Sequence, residues 1–409
     1  MEQYDQLYRL YKSVDTTTLR GYQEFVDLFP PLSSAVALEQ WETASDRLDD
    51  LKADITDEFP GTGETYAEIA ARLTRDEAFT ALDLYSKYGR SVNVLVLDVD
   101  ETLRSAGDTD NEIPRDTLYL LTQFHEAGVP IVVCTGQTLE NVKGFTIQGL
   151  GNGLVHSGSV SIVYEAGTGV FTPGHGQRTK QLLYEDLDDT VRGVFDEVRS
   201  RVLPEAPERI RRGCHLQGNE FNVTLKPNFE AATPEAVEVV ADALVYLVDL
   251  LGTVVADHDE ASAWARTYYA DVDPEIRSVL NDRGALPSMS LDDVPDDVRS
   301  TFERVDVAYH PGDSAEIGSL ELDKPHGVEA ALDVLGIDDP FVFVMGDSTS
   351  DLRVMEWAAE NDAGLAAAPE HASQAVLDHV EATDGLVFDR GDAATMLRTV
   401  YVMDYLTEL

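Results

Sequence analysis

Three short apolar runs constrain the fold of this chain more than any other feature. They are rich in β-branched residues and span residues 92–97, 129–134 and 341–345. Runs of this length without alternating polar residues are typical of strands buried on both faces of a parallel sheet. Helical patterns lie beside them, at residues 115–127 and 327–335. This alternation of strands and helices predicts an α/β domain with a doubly wound, Rossmann-like sheet.

Two other regions differ from this α/β pattern. Residues 1–90 have apolar residues at helical spacing but carry no chemistry-bearing motif, so we expect a helical N-terminal extension. Residues 158–312 contain segments that alternate in polarity, among them 160–163 and 305–309, together with helical stretches, which predicts an inserted α+β domain. The expected order is a helical region (1–90), the first half of the α/β core (91–157), the insertion (158–312) and the second half of the core (313–409).

The chain is strongly acidic, with 76 Asp and Glu residues against 30 Lys and Arg residues and a formal net charge of -46. Self-repulsion of this size disfavours a compact state at ordinary ionic strength, whereas at molar salt the screening length falls to roughly 3 Å. Because the acidic residues are spread over every segment, we interpret them as an adaptation to a salt-rich, halophilic cytoplasm. The same charge argues against nucleic acids and anionic membranes as partners.

Features that direct a chain to a membrane or an oxidising compartment are missing from the sequence. No apolar run approaches the roughly 20 residues that cross a bilayer. The first residues lack the basic and apolar regions of a signal peptide. Cys134 and Cys214 are too few for a disulfide framework. We therefore expect a soluble cytoplasmic protein, and the sequence leaves its oligomeric state open.

Two carboxylates follow the first apolar run directly. Asp98 and Asp100 begin the segment Asp-Val-Asp-Glu-Thr-Leu, at the point where a core strand is expected to end. Ligands of open α/β sheets bind beyond the carboxyl ends of the strands, so both carboxylates can share one metal and one reacting centre. An acidic chain produces Asp-x-Asp by chance, but no other such pair here has both a long apolar run before it and Thr-Leu after it. We predict that these two residues form a functional pair.

Three further segments place polar groups at the same expected edge. After the second apolar run, the Thr135 hydroxyl and the backbone N–H groups beyond it, at Gly136, can hold a phosphate oxygen. Lys324, one of seven lysines, precedes a core helix, and its ammonium group can neutralise a phosphoryl oxygen and a carboxylate together; an ordinary exposed lysine is the alternative. The third run leads into Asp347, a suitable Mg²⁺ ligand, and into Asp351, which we expect one helical turn further along the same face.

Taken in order, Asp-x-Asp-x-Thr, the strand-end threonine, the lysine and Gly-Asp-x-x-x-Asp resemble the four motifs of the haloacid dehalogenase (HAD) superfamily. The resemblance covers residues 91–157 and 313–390. The insertion between the second and third motifs resembles the type IIB cap of the Cof-like, sucrose-phosphatase and trehalose-phosphatase group. This sequence departs from many members of that group in having Ser350 before the last aspartate and Lys-Pro-His-Gly at 324–327 instead of Lys-Gly.

The resemblance implies a Mg²⁺-dependent phosphatase that acts through an aspartyl-phosphate. Asp98 would attack phosphorus, and Asp100 would protonate the leaving oxygen and then activate the water that hydrolyses the intermediate. The Asp100 backbone carbonyl would join two carboxylates around Mg²⁺, and Asp351 would orient Lys324 or a metal-bound water. The implied catalytic set is Asp98, Asp100, Thr135 and Lys324, and the implied metal set is Asp98, Asp100, Asp347 and Asp351.

Specificity is the property that the sequence constrains least. Thr102 and Gly136 are candidate substrate contacts next to the expected phosphate position. Arg212 and Lys226 belong to a local concentration of basic residues in the insertion, which can attract an anionic substrate; the alternative is that they pair with nearby acidic residues. We expect a small phosphorylated metabolite, of the sugar-phosphate class. A phosphomutase that uses the same aspartate pair and a non-catalytic sugar-phosphate-binding module remain alternatives.

Overall fold

The computed structural model describes residues 2–29, 34–104, 112–219, 221–229, 233–407 and 409. Its Cα positions divide the chain into two compact units. The first comprises Met1–Ala166, Val170–Gln181 and Gly327–Leu409, and the second comprises Gly167–Gly169 and Leu182–His326.

The helices and strands are numbered in chain order. The helices are α1 (Glu2–Ser13), α2 (Thr16–Leu28), α3 (Ala35–Glu58), α4 (Gly63–Arg72), α5 (Arg75–Tyr88), α6 (Arg115–Glu126), α7 (Leu139–Leu150), α8 (Asn152–Val155), α9 (Asp189–Arg201), α10 (Glu208–Gly213), α11 (Pro234–Val255), α12 (Ala261–Val272), α13 (Pro274–Asp282), α14 (Asp296–Phe302), α15 (Lys324–Leu335), α16 (Thr349–Glu360), α17 (Gln374–Ala382) and α18 (Ala393–Leu406). The strands are β1 (Val94–Leu97), β2 (Ile131–Cys134), β3 (Val160–Tyr164), β4 (Gly169–Phe171), β5 (Lys180–Leu182), β6 (Cys214–Asn219), β7 (Asn222–Pro227), β8 (Val305–His310), β9 (Ser314–Ser319), β10 (Val342–Met345), β11 (Gly364–Pro369) and β12 (Leu386–Phe388).

The first unit contains an eight-stranded sheet in the order β12-β11-β10-β1-β2-β3-β4-β5. The strands from β12 to β3 are parallel. From β1 the chain proceeds outwards through β2 and β3, whereas from β10 it proceeds in the opposite direction through β11 and β12. Strand order therefore reverses between β1 and β10, which is where open α/β sheets bind their ligands. This topology confirms the predicted doubly wound α/β class.

The helical region at residues 1–90 shares its hydrophobic core with this sheet. Leu10, Ile69 and Leu82 from the N-terminal helices belong to the same buried cluster as Leu95 and Phe343 from β1 and β10. Helix α5 begins at a capping box, in which Thr74 and Glu77 satisfy each other's backbone N–H groups. The predicted helices are present, and they pack as part of the first unit.

Strand β3 differs from the expectation for residues 160–163. Their alternating polarity predicts a place in the insertion, but β3 pairs in parallel with β2, with Ile131 opposite Val160. The polar residue that produces the alternation, Ser161, is fully buried, and its hydroxyl lies 2.8 Å from that of Thr172. A hydrogen-bonded serine is tolerated inside a sheet, so the alternation did not indicate a wetted face here.

The second unit is built on a four-stranded sheet in the order β6-β7-β9-β8, and its described strand pairs are antiparallel. Along β8, buried and half-buried residues alternate, as predicted for a strand with one wetted face. A turn at Gly312, with a φ of 71°, joins β8 to β9. The sheet shares its core with α9 and α11–α14, which confirms the α+β character expected of the insertion. The expected end of the insertion at residue 312 was wrong, because β9 pairs with β7 and β8 and this unit continues to His326.

Within the described residues, no helix is long and apolar enough to cross a membrane.

Candidate active site

Asp98 lies directly after β1 and is only 6% exposed. Its backbone N–H donates to the Met345 carbonyl at 2.9 Å, which extends the pairing of β1 with β10 by one residue. The chain then turns sharply, because the Val99 carbonyl accepts hydrogen bonds from the N–H groups of Leu103 and Arg104, both at 3.1 Å. Asp100 and its neighbours therefore lie in a compact turn at the carboxyl end of the central strand.

Three carboxylates meet at the reversal point of the sheet. Carboxylate oxygens of Asp98, Asp347 and Asp351 all lie within 4.8 Å of one another. The register explains this convergence. Leu97 pairs with Met345, so the segments that follow β1 and β10 leave the sheet at the same edge. The sequence-based placement of Asp351 on one helical face with Asp347 was wrong, because Asp347 precedes Ser348, the N-cap of α16.

Asp351 is held in place by the start of its own helix. Its Oδ2 accepts hydrogen bonds from the Ser348 N–H at 3.1 Å and from the Ser348 hydroxyl at 2.6 Å. Gly346 makes room for this carboxylate, since a Cβ at that position would lie 2.9 Å from Asp351 Oδ2 and closer still to Asp351 Cβ and Cγ. The glycine of Gly-Asp-x-x-x-Asp is therefore a steric requirement for the cluster.

The three carboxylates are a suitable donor set for a hard divalent cation. Mg²⁺ binds carboxylate oxygens, and sites for it use few protein ligands, so that substrate phosphate and water complete the coordination. Asp98 and Asp351 are buried. Bringing buried carboxylates together is favourable only when positive charge compensates their repulsion. The residues present therefore fit Mg²⁺.

The Asp100 carboxylate has two partners that the sequence did not reveal. Arg104 donates to Asp100 Oδ1 through Nε at 3.0 Å and through Nη2 at 2.7 Å. Gln137, from the loop after β2, donates to Asp100 Oδ2 at 2.5 Å. Arg104 is close to Asp100 in the sequence and lies in the same turn, whereas the Gln137 contact depends on β1 and β2 being neighbours.

Two threonines bring hydroxyl groups to the same turns. Thr135 is buried after β2, and its Oγ1 accepts from the Gln137 N–H at 3.1 Å. Thr102 is buried in the turn after β1, and within the described residues its hydroxyl has no hydrogen-bond partner. A buried hydroxyl without a partner is costly unless a ligand or water satisfies it. Gly136 is exposed beside Thr135.

The remaining predicted residues lie in the second unit. Lys324 begins α15 and is 3% exposed, so it is not an ordinary exposed lysine. Arg212 is 80% exposed and forms an ion pair with Glu208 at 2.6 Å. Lys226 lies 3.4 Å from Asp313. Both candidate substrate contacts in the insertion therefore have an acidic neighbour within their own unit.

Comparison with known proteins gives similarity at the level of structure only. No family model matches the sequence, and no curated protein matches it. The structure is similar to trehalose-6-phosphate phosphatase of Aspergillus fumigatus, with 13% sequence identity, 80% of this chain and 98% of that chain covered, and a TM-score of 0.45. It is also similar to a haloacid dehalogenase-like hydrolase of Bacteroides thetaiotaomicron (13% identity, 76% and 98% covered, TM-score 0.38) and to TM0651 of Thermotoga maritima (15%, 76% and 97%, 0.41). Similarity at this level does not assign an activity to this chain.

Proposed function

We propose that this chain is a Mg²⁺-dependent phosphatase of the HAD type, which hydrolyses a small phosphomonoester through an aspartyl-phosphate on Asp98. The observation that supports this most is the convergence of Asp98, Asp347 and Asp351, whose carboxylate oxygens lie within 4.8 Å of one another at the reversal point of the sheet. The four sequence motifs resemble those of the HAD superfamily, and the residues of the first and last of them form this cluster.

Asp98 and Asp100 divide the chemistry between them. An Asp98 oxygen attacks phosphorus while the bond to the leaving oxygen breaks, and Asp100 gives that oxygen a proton. Asp100 then takes a proton from the water that attacks the phosphoryl-enzyme, which releases inorganic phosphate and regenerates the Asp98 carboxylate. Arg104 and Gln137 hold the Asp100 carboxylate in one orientation between the two loops. Mg²⁺, when bound by the carboxylates of Asp98, Asp347 and Asp351 and by the Asp100 carbonyl, would supply positive charge that offsets the repulsion between phosphate and nucleophile.

Hydroxyl and ammonium groups hold the phosphoryl oxygens in this proposal. Thr102 and Thr135 are buried in the turns after β1 and β2 and would donate hydrogen bonds to them, and the Gly136 N–H would join them. Lys324 would neutralise a phosphoryl oxygen. Phosphoryl transfer needs mainly positioning and charge stabilisation, which such fixed donors provide.

We further propose a phosphorylated small metabolite of the sugar-phosphate class as substrate, with Arg212 or Lys226 as contacts to the leaving group. Their support is the local concentration of positive charge in an acidic chain. The acidic neighbours of both residues would compete with an anionic substrate. We also propose that the protein functions at high salt, because its net charge is -46. Activity should therefore be measured in both dilute and molar KCl.

Phosphate release tests the proposed function. A panel of phosphomonoesters is assayed with Mg²⁺ and with a chelator. Asp98→Asn keeps the size of the side chain but removes the nucleophile, so we expect turnover to fall by roughly 10³-fold or more. Asp257→Asn, at an exposed aspartate in another Asp-x-Asp pair, is the matched control. Turnover close to that of the parent in a folded Asp98→Asn variant would refute the mechanism. Isomerisation without phosphate release would indicate the mutase instead, and binding without turnover the non-catalytic module.

A further inference from the structure

One loop contacts the backbone of both segments that supply the aspartate cluster. It joins β11 to α17 and lies beyond the carboxyl end of β11. Its Ser373 N–H donates to the Asp347 carbonyl at 2.9 Å. Its His371 Nε2 lies 3.1 Å from the Glu101 carbonyl, as a donor to it. The loop therefore connects the turn after β1 with the segment after β10, although none of the four motifs includes it.

Glu101 has a backbone conformation that needs such support. Its φ is 58°, in the left-handed region that residues with a Cβ disfavour. A residue other than glycine stays in this region only when surrounding contacts hold it there, and such residues concentrate at functional sites. Glu101 follows Asp100 directly, so its φ sets the orientation of the Asp100–Glu101 peptide, and with it the Asp100 carbonyl, relative to the rest of the turn.

The Glu101 side chain also contacts His371, together with Arg390. Its Oε2 lies 3.4 Å from His371 Nε2 and 3.1 Å from Arg390 Nη2. Arg390 lies beyond β12, so segments after two outer strands of the sheet converge on this one residue. His371 contacts both the backbone carbonyl and the carboxylate of Glu101.

We propose that His371 is a positioning residue for the acidic cluster. It keeps Glu101 in the left-handed conformation and so orients the Asp100–Glu101 peptide towards the carboxylates of Asp98, Asp347 and Asp351, which would hold Mg²⁺. The inference rests on the proposed function, because it assigns His371 to the same site. It predicts that replacing His371 weakens Mg²⁺ binding and lowers kcat when residue 101 is glutamate, and has a much smaller effect when residue 101 is glycine.

A double-mutant cycle tests this dependence. The variants are His371→Ala, Glu101→Gly and the two combined, with His156→Ala as the control at an exposed histidine of the same unit. Mg²⁺ alone is titrated into each variant by calorimetry, kcat and KM are measured separately, and unfolding in urea is followed. We expect His371→Ala to weaken Mg²⁺ binding and to lower kcat roughly tenfold with KM little changed, as for one lost hydrogen bond at a strained residue. In the Glu101→Gly background, which adopts the turn without strain, the same change should cost at most about threefold.

Equal losses from His371→Ala in both backgrounds would overturn the proposal, since His371 would then not act through Glu101. Mg²⁺ affinity and kcat as in His156→Ala would also overturn it, and a loss confined to urea stability would show a structural role only. The Mg²⁺ titrations separate this inference from the proposed function. If the parent binds Mg²⁺ but releases no phosphate, the phosphatase assignment fails and the Mg²⁺ cycle still decides the role of His371. A parent that binds no Mg²⁺ refutes the positioning role.

Discussion

The two sheets of this molecule place their polar residues in different ways. In β1, β2 and β10 every residue is buried, so the first polar side chains occur where the strands end. In β8 of the second unit, buried and half-buried residues alternate, and polar side chains occur along the strand, Asp306 and His310 among them. A parallel sheet covered on both faces therefore confines chemistry to its edge, whereas a sheet with a wetted face does not.

The two regions also differ in how their carboxylates are arranged. At the edge of the parallel sheet, three carboxylates converge within 4.8 Å. In the second unit, basic side chains form ion pairs with carboxylates. Arg304, for example, contacts Glu321 and lies 2.5 Å from Asp188. The hydrogen bond from Arg304 lowers the pKa of the exposed Asp188 carboxyl. A gathering of like charge is unfavourable in itself, which is why we assign the site to the first region.

The largest effect on stability that this comparison predicts comes from Gly346, which directly follows β10. Gly346→Ala places a Cβ 2.9 Å from Asp351 Oδ2 and nearer still to the Asp351 Cβ. We expect it to destabilise the protein by about 2–3 kcal/mol and to weaken Mg²⁺ binding, because Asp351 must move. Urea unfolding and Mg²⁺ titration measure the two consequences.

Gly318→Ala in β9 is the matched control from the antiparallel sheet. Its Cβ would meet nothing nearer than 3.9 Å, so we expect a change of no more than about 0.5–1 kcal/mol, in the stabilising direction. Equal destabilisation by the two substitutions would mean that the strand end after β10 is no more constrained than an ordinary strand position.

The sequence predicted the parallel sheet and its edge because strand burial and strand-end residues are local features. The six-residue run before Asp98 and the glycine before Asp347 are visible without knowledge of the fold. Contacts between segments distant in the chain were not predictable in this way. Gln137 reaches Asp100 only because β2 lies beside β1, and His371 reaches Glu101 from a loop 270 residues away. Strand β3 was misplaced because a buried hydrogen-bonded serine has the same pattern as a wetted face.

A partly buried charge cluster in the helical part of the first unit gives a second prediction. Glu68 is 29% exposed and contacts Lys52 at 2.8 Å and Arg72. Burial raises the pKa of the Glu68 carboxyl, but the charges of Arg72 and Lys52 outweigh it and hold the pKa below its ordinary value. Glu68→Gln should therefore cost about 1–2 kcal/mol of unfolding free energy at pH 7, between the values for exposed and buried pairs.

The pH dependence of this difference has a definite sign. A depressed folded pKa contributes stability above the unfolded value of 4.5, and that contribution disappears as pH falls through the folded pKa. The gap between parent and Glu68→Gln should therefore narrow as the pH falls below 4.5 and close once the pH is below the folded pKa. Glu42→Gln, at an exposed position of α3, is the control and should show no such gap. Urea unfolding at several pH values is the measurement, and a gap that persists at low pH would contradict the electrostatic explanation.

The smallest effects on stability are expected at Arg212 and Lys226 in the second unit. Arg212 is 80% exposed beside Glu208, and Lys226 lies beside Asp313. Exposed pairs of this kind contribute little, so Arg212→Ala and Lys226→Ala should each change the unfolding free energy by no more than about 0.5–1 kcal/mol. As proposed substrate contacts, they should lower kcat/KM for the best phosphomonoester by roughly threefold or more. Arg211→Ala, at an exposed neighbouring arginine, is the matched control. If neither substitution differs from that control in kcat/KM, the basic residues of the second unit serve only to neutralise nearby acid, and the chemistry at the edge of the parallel sheet is unaffected.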